Sequence, residues 1–234
     1  MSIDSARSLA AEAIGTFALV FAGCGAIMVD SQTAALGHIG VAISFGLVIM
    51  AMIFAVGHIS GAHFNPAVTL AFAVSRHFAW ARVPGYWAAQ VAGATAAALV
   101  LRGSLGNVAH VGATLPSGSN GQAFLWEAVL TFFLMFVIMA VATDTRAVGE
   151  SAAIAIGGTV ALDAMFGGPL TGASMNPARS LGPALVSGDL TTMWIYLAAP
   201  AAGAVIGALA YQCVRGGREV PVELRAPASA EEAA

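Results

Sequence analysis

The sequence predicts an all-α membrane protein: six transmembrane helices plus two re-entrant half-helices, arranged as an inverted 3+3 repeat. Three observations predict it. Of 234 residues, 59% are hydrophobic and only 9% charged, where a soluble domain carries about 25% charged residues. Six apolar runs approach the roughly 20 residues needed to cross a bilayer. One eight-residue pattern occurs twice. The mean hydropathy of +0.84 also excludes a disordered chain. A net charge of -3, with arginines and no lysine, offers no basic field for nucleic acid.

The apolar runs are Leu9–Val29, Ile39–Val56, Val83–Leu101, Phe124–Thr143, Ser151–Phe166 and Met193–Val214. They use up most of the chain, so no separate soluble domain is expected. Residues 1–8 read as an N-terminal segment and 9–214 as one membrane domain, with repeats at about 9–102 and 124–214. Residues 215–234 read as a polar, disordered tail. The first run is too long, and lacks the small-residue cleavage site, for a signal peptide. With six spans, Arg7, Arg76, Arg82, Arg146, Arg215, Arg218 and Arg225 fall on one side of the membrane and Arg102 on the other. The positive-inside rule then makes both termini cytoplasmic, in a multi-pass protein of the plasma or inner membrane.

The repeated pattern is Ser60-Gly61-Ala62-His63-Phe64-Asn65-Pro66-Ala67 and, 111 residues later, Thr171-Gly172-Ala173-Ser174-Met175-Asn176-Pro177-Ala178. An upstream echo pairs Glu12, before Ala13-Ile14-Gly15-Thr16-Phe17, with Glu127, before Ala128-Val129-Leu130-Thr131-Phe132. Three spans per half is odd, so the halves enter the membrane from opposite sides, related by a pseudo-two-fold axis in its plane. Each Asn-Pro-Ala is followed by an apolar stretch too short to span, Val68–Val74 or Leu181–Val186. Asn is a good helix cap and Pro suits the first helical position, so each motif reads as the start of a half-helix. Irregular backbone is expected over Gly57–Phe64 and Gly167–Met175. At membrane depth it is tolerated only where it is buried in protein or lines a watery cavity. The two helix N-termini, each worth about half a positive charge, would meet near the midplane.

Glu12 and Glu127 sit inside apolar runs, where charge is expensive and usually functional. They read either as acceptors for re-entrant loop amides, the expected role, or as a proton relay. Loop packing and hydrogen bonding is the expected role of His58 and His63, since two ligands do not make a metal site. His38, His77 and His110 read as peripheral, and Asp30 and Arg102 as interface residues. Cys24 and Cys213 read as small buried hydrophobes, and Met50, Met52, Met135, Met139 and Met165 as gap fillers. Gly203-Ala204-Val205-Ile206-Gly207 is a helix-packing pattern. No cofactor and no metal are expected.

The stretches Gly57–Thr69 and Gly172–Ser180 resemble the aquaporin (major intrinsic protein) family, and the resemblance extends over roughly Ala10–Arg215. Val41–Val56, Val141–Glu150 and Ser180–Val186 are most similar to its nodulin-type branch, here in bacterial form. The resemblance implies six tilted helices, two half-helices packed end to end, one pore per subunit and a homotetramer. It assigns Asn65, Pro66, Ala67, Asn176, Pro177 and Ala178 to the pore constriction. It also assigns a selectivity filter: Phe45, twenty residues before Asn65; Ala164, twelve before Asn176; Ala173, three before it; and Arg179, three after it. Strict water channels of the family carry His at the fifth-helix position and a larger or polar loop residue. Here both are Ala, which implies a wider opening with an apolar wall and an arginine donor.

The implied function is a passive channel for water and small uncharged solutes: glycerol, urea, or metalloid hydroxides such as arsenite or boric acid. Protons and ions would be excluded by Arg179 and the positive half-helix ends. Ser180 stands where strict glycerol channels carry Asp, and Asp163 stands where the branch carries a neutral amide. Asp163 is open to three readings: a protonated structural group, the partner of a nearby donor, or a group that tunes the filter's charge. The alternative function is an ion-coupled secondary transporter of a small neutral solute, for which Asp163 would be the coupling carboxyl. An enzyme is not expected, because the sequence holds neither a G-x-S-x-G nor an H-E-x-x-H motif.

Overall fold

A computed structural model describes residues 3–144 and 151–216. Arg146, Arg218, Arg225 and the tail beyond 216 lie outside the described residues. The helices are α1 (Ile3–Thr33), α2 (Gly37–Ser60), α3 (Pro66–Val74), α4 (Val83–Leu105), the single turn α5 (Ala109–Gly112), α6 (Asn120–Thr143), α7 (Ala152–Thr171), α8 (Pro177–Ser187) and α9 (Met193–Val214). Six of them, α1, α2, α4, α6, α7 and α9, are long and apolar enough to span a membrane. The short α3 and α8 are the two half-helices, of nine and 11 residues. The protein is therefore the all-helical, multi-pass architecture that the sequence predicts.

Two helices run further than their sequence suggests. α2 continues through Gly57 to Ser60 and ends at Gly61, whose φ of 89° suits glycine and whose N–H bonds the Gly57 carbonyl at 2.9 Å. α7 continues through Gly167 and over Pro169 to Thr171, and ends in the same way at Gly172. Proline normally breaks a helix by leaving the carbonyl four residues earlier without a donor. Here that carbonyl, Met165 O, lies 2.7 Å from His38 Nε2 on α2. The irregular backbone thus shrinks to 61–65 and 172–176.

Small residues set the packing. On α9, a Cβ at Gly203 would run into the Ala128 carbonyl of α6, and one at Gly207 into that of Phe132. The corresponding contact in the first repeat is Gly93 of α4 on the Ala13 carbonyl of α1. The G-x-x-x-G pattern is therefore a contact within the chain. Each half-helix packs between repeats: α3 lies against α9, and α8 against α4. Their carbonyl ends are held by the same neighbours. Gln212 of α9 donates to Ser75 O at 2.9 Å, and Arg102 of α4 donates to Val186 O. Asp30 likewise has an internal role: its Oδ1 accepts from Leu36 N and Gly37 N, at 3.0 and 2.7 Å, and closes the start of α2. The two residues read as interface positions thus each bond a helix end within the chain. Cys24 is buried as expected, whereas Cys213 is exposed.

A side chain at Gly93 must displace backbone, and overpacking of this kind costs about 1–3 kcal/mol or more. Gly93→Val is expected to lower the thermal unfolding midpoint of the detergent-solubilised protein clearly. Gly103→Ala, on the same helix with nothing within 4 Å of its new Cβ, is expected to leave it unchanged or raise it. Equal effects would refute the packing argument.

Candidate functional site

The site begins with two buried glutamates. Glu12 Oε1 accepts from Ser60 Oγ at 2.7 Å and from His63 N at 2.9 Å. Its Oε2 accepts from Phe64 N and Gln90 Nε2, both at 2.7 Å. Glu127 repeats the arrangement, with Oε1 accepting from Thr171 Oγ1 at 2.7 Å and Ser174 N at 2.8 Å, and Oε2 from Met175 N at 2.8 Å. Two tyrosines complete the symmetry. Tyr86 OH donates to Ser60 O at 2.8 Å and Tyr196 OH to Thr171 O at 2.7 Å. The loops need this support. Ala62 and Phe64, and their counterparts Ala173 and Met175, all have φ between 40° and 53°, a left-handed region costing about 1–3 kcal/mol per non-glycine residue.

These loops deliver the Asn-Pro-Ala elements as caps. Asn65 Oδ1 accepts from Ala67 N at 2.9 Å, and Asn176 Oδ1 from Ala178 N at 3.0 Å and Arg179 N at 3.2 Å. Each asparagine also reaches across to the other loop. Asn65 Nδ2 donates to Met175 O at 2.7 Å and Asn176 Nδ2 to Phe64 O at 2.9 Å. This reciprocal pair locks the half-helix starts to one another. An NH₂ group has two hydrogens, so each amide keeps one N–H beyond this bond.

Three cavities lie in series along the molecule. The first, about 520 Å³, opens on the side of the chain termini and is lined by Ile53, His58, Ala62, His63, Val68 and Phe72 among others. The second, about 410 Å³, opens at the opposite end beside Asp30, His38, Ala113, Gly168 and Gly172. Between them is a narrow volume of about 40 Å³, room for only a few waters at about 10–15 Å³ each. It shares Ile49, Asn65, Leu134 and Val160 with the first cavity, and Phe45 and Ala164 with the second.

The narrow volume gathers Asn65, Asn176, Phe45, Ala164, Ala173 and Arg179. Arg179 is only 2% exposed. Its Nη1 donates to Gly112 O at 2.8 Å and to Cys24 Sγ at 3.3 Å. Its guanidinium carbon stands 5.0 Å from the Phe45 ring centroid, a cation–π distance. Nε and Nη2 have no hydrogen-bond partner among the described residues. Sequence reasoning missed the two groups that hold Nη1. Gly112 ends α5, where Ala109, His110, Val111 and Gly112 all have positive φ, and no local pattern announces a left-handed turn. Cys24 carries a signal only in retrospect, as a lone thiol inside the first span.

His63 packs against Phe72, Phe78 and Tyr86, with Nδ1 3.0 Å from Thr69 Oγ1. His58 departs from expectation. Because α2 extends to Ser60, His58 sits on its last helical turn rather than in the loop, is exposed, and lines the first cavity, with no hydrogen bond to the loop among the described residues. Asp163 is buried beside Ala164, with Oδ2 unpartnered among the described residues, and lines none of the three cavities. Ser180 Oγ joins Thr114 Oγ1 at 2.7 Å and Ser174 Oγ at 2.5 Å, so the residue after Arg179 is tied into a hydroxyl chain.

Comparison with known proteins agrees with this fold. The Major intrinsic protein family profile matches residues 1–211. The chain belongs to the major intrinsic protein family. It is 54% identical to Aquaporin NIP1-4 of Oryza sativa subsp. japonica, over 92% of the chain and 79% of that relative. It is 52% identical to Nodulin-26 of Glycine max, over 92% and 80%. Its fold matches the X-ray structure of the aquaglyceroporin from Plasmodium falciparum, with a TM-score of 0.80 and 27% identity over 90% of this chain and 97% of that one. This major intrinsic protein is a transmembrane channel for water and small neutral solutes, not an enzyme.

Replacing Glu127 by Ala strands three buried donors, at about 1–3 kcal/mol each. Glu127→Ala is therefore expected to abolish most water permeability per reconstituted molecule. The isosteric Glu127→Gln is expected to fall between it and wild type. Wild-type osmotic permeability in the alanine variant would refute the supporting role of the carboxyl.

Proposed function

We propose that this channel passes small neutral polyols and hydroxides as well as water, through a filter formed by Phe45, Ala164, Ala173 and Arg179. The observation that carries the proposal is the pairing of two alanines with a buried arginine whose Nε and Nη2 have no protein partner among the described residues. Phe45, Ala164 and Ala173 offer an apolar wall. Arg179 offers the unmatched donors. Glycerol satisfies both, with a carbon face and hydroxyls, while urea and undissociated arsenous or boric acid are small, uncharged and carry acceptor oxygens for the arginine. Water fits by size.

The same elements account for selectivity against charge. An ion entering the narrow volume sheds its hydration shell, at large cost. A cation or proton also meets Arg179 and the two capped half-helix N-termini, each worth about half a positive charge. Asp163, the coupling carboxyl of a secondary transporter, lines no part of the passage, and Glu12 and Glu127 are engaged by the loops. Passive flow is the better reading. In the cell the protein would be a homotetramer in the plasma or inner membrane, with one pore per subunit, lipid around the assembly and both termini cytoplasmic.

Stopped-flow measurement on proteoliposomes tests this filter. The wild-type channel is expected to conduct glycerol and water. Ala164→His combined with Ala173→Thr is expected to cut glycerol flux at least about tenfold, the cost of one badly fitted contact, while water flux persists. Water flux without glycerol flux in the wild type would overturn the assignment. A pH gradient across the same vesicles is expected to survive, and its collapse would overturn proton exclusion.

A further inference from the structure

We propose that His38 is a positioning residue for the constriction: through Nε2 it bonds the Met165 carbonyl, fixes the separation of α2 and α7, and thereby sets the solute cut-off. The proposal rests on the reading of Phe45 and Ala164 as facing walls of the filter.

The bond has a cause on each side. Pro169 has no N–H to give Met165 O, four residues before it, so that acceptor must look outside its helix. His38 Nε2 is 2.7 Å away, and since a carbonyl only accepts, Nε2 carries the proton. Gly168 leaves space for the ring: a Cβ there would come within 2.6 Å of His38 Cε1. On the other side, the first turn of α2 is held by Asp30, whose Oδ1 takes both Leu36 N and Gly37 N. The imidazole thus projects from a fixed turn into a notch made by a Gly-Pro pair.

The placement makes the bond a gauge of width. His38 precedes Phe45 by seven residues, about two helical turns, and Met165 directly follows Ala164. Further along, α2 and α7 already meet at Gly46 and Gly157, where a Cβ on Gly46 would lie 2.5 Å from the Gly157 carbonyl. The tight approaches there, Gly46 against Ala161 and Gly157 against Met50 included, form one cluster away from the Gly37 and Thr171 ends of the two packed helices. A second contact, at the open end, fixes the angle between them, and the filter walls lie between the two points. His38 itself lines the second cavity rather than the narrow volume, so it acts through helix position and not by touching solute in the filter.

The test uses the full chain in proteoliposomes and reads the ratio of glycerol to water permeability, with erythritol as a larger probe. His38→Ala is expected to raise the glycerol-to-water ratio about threefold, the weight of one neutral hydrogen bond, and to admit erythritol. His38→Gln places an amide N–H where Nε2 was and is expected to restore the wild-type ratio. His38→Asn, whose amide matches Nδ1 instead, is expected to behave like Ala. Pro169→Ala gives residue 169 an N–H for Met165 O, so adding His38→Ala to it is expected to change the ratio little. Identical ratios in the Ala, Asn and Gln variants, or an undiminished effect of His38→Ala beside Pro169→Ala, would overturn the proposal. Should the Ala variant fail to fold, the Gln and Asn pair decides. The filter variant Ala164→His with Ala173→Thr is run alongside. If it shifts the ratio and the His38 series does not, the His38 role falls and the filter stands. If it leaves the ratio unchanged, the filter reading falls and takes this proposal with it.

Discussion

The constraint on which this structure depends is that no backbone amide at membrane depth can go without a partner. A continuous helix meets it automatically. This fold breaks two helical paths in mid-membrane, which exposes the amides of residues 61–65 and 172–176. Water cannot satisfy those that face protein. Glu12 and Glu127 do so, each accepting two loop N–H groups and a hydroxyl. A carboxyl group suits the task because two oxygens with several lone pairs can serve adjacent amides pointing the same way. The cost of placing such a group in an apolar helix is offset by the donors converging on it. The left-handed φ values at Ala62, Phe64, Ala173 and Met175 are then held by the same bonds.

From these anchors the two repeats interlock. Each half-helix starts within its own repeat but finishes against the third long helix of the other, and takes its terminal cap from there. The asparagine amides cross in the same sense, each bonding the opposite loop's carbonyl. Neither half can then hold its re-entrant segment in place alone. The exchange also explains why glycines fall at α1–α4 and α6–α9 crossings: the half-helices need room between outer helices, and the outer pairs close up tightly to leave it.

Much of this was legible in the sequence. Six apolar runs, the twin Asn-Pro-Ala elements and the matched glutamates lie in short, local patterns, and each has a direct physical reading. What was not legible depends on contacts distant in sequence. Pro169 suggests a break, yet α7 passes through it because a histidine 131 residues away takes the orphaned carbonyl. A rule that asks where that carbonyl finds its donor would have pointed outward from α7, though not to His38. Gly112 and Cys24 hold Arg179, but α5 has no sequence signature. The internal bonds of Asp30 and Arg102 were not legible because a lone charge near a helix end can serve an outside partner, a cap or both. His58 moved out of the loop simply because α2 is one turn longer.

A filter of the kind proposed must be both narrow and rigid, and the two properties would come from different residues. In the proposed filter, width is set by what Ala164 and Ala173 lack, since short side chains leave open the narrow volume they line with Phe45. Rigidity comes from groups behind the surface. Arg179 is gripped by Gly112 O and Cys24 Sγ and faced by the Phe45 ring, which leaves Nε and Nη2 without a hydrogen-bond partner among the described residues. The loop carrying Ala173 is tied through Thr171, Ser174 and Met175 to Glu127. Small side chains on a loose frame would give an opening of variable size and little discrimination. The same side chains on a frame bonded at each loop amide would give a fixed aperture, so under the proposed filter solute choice could change at positions 164 and 173 without disturbing the frame.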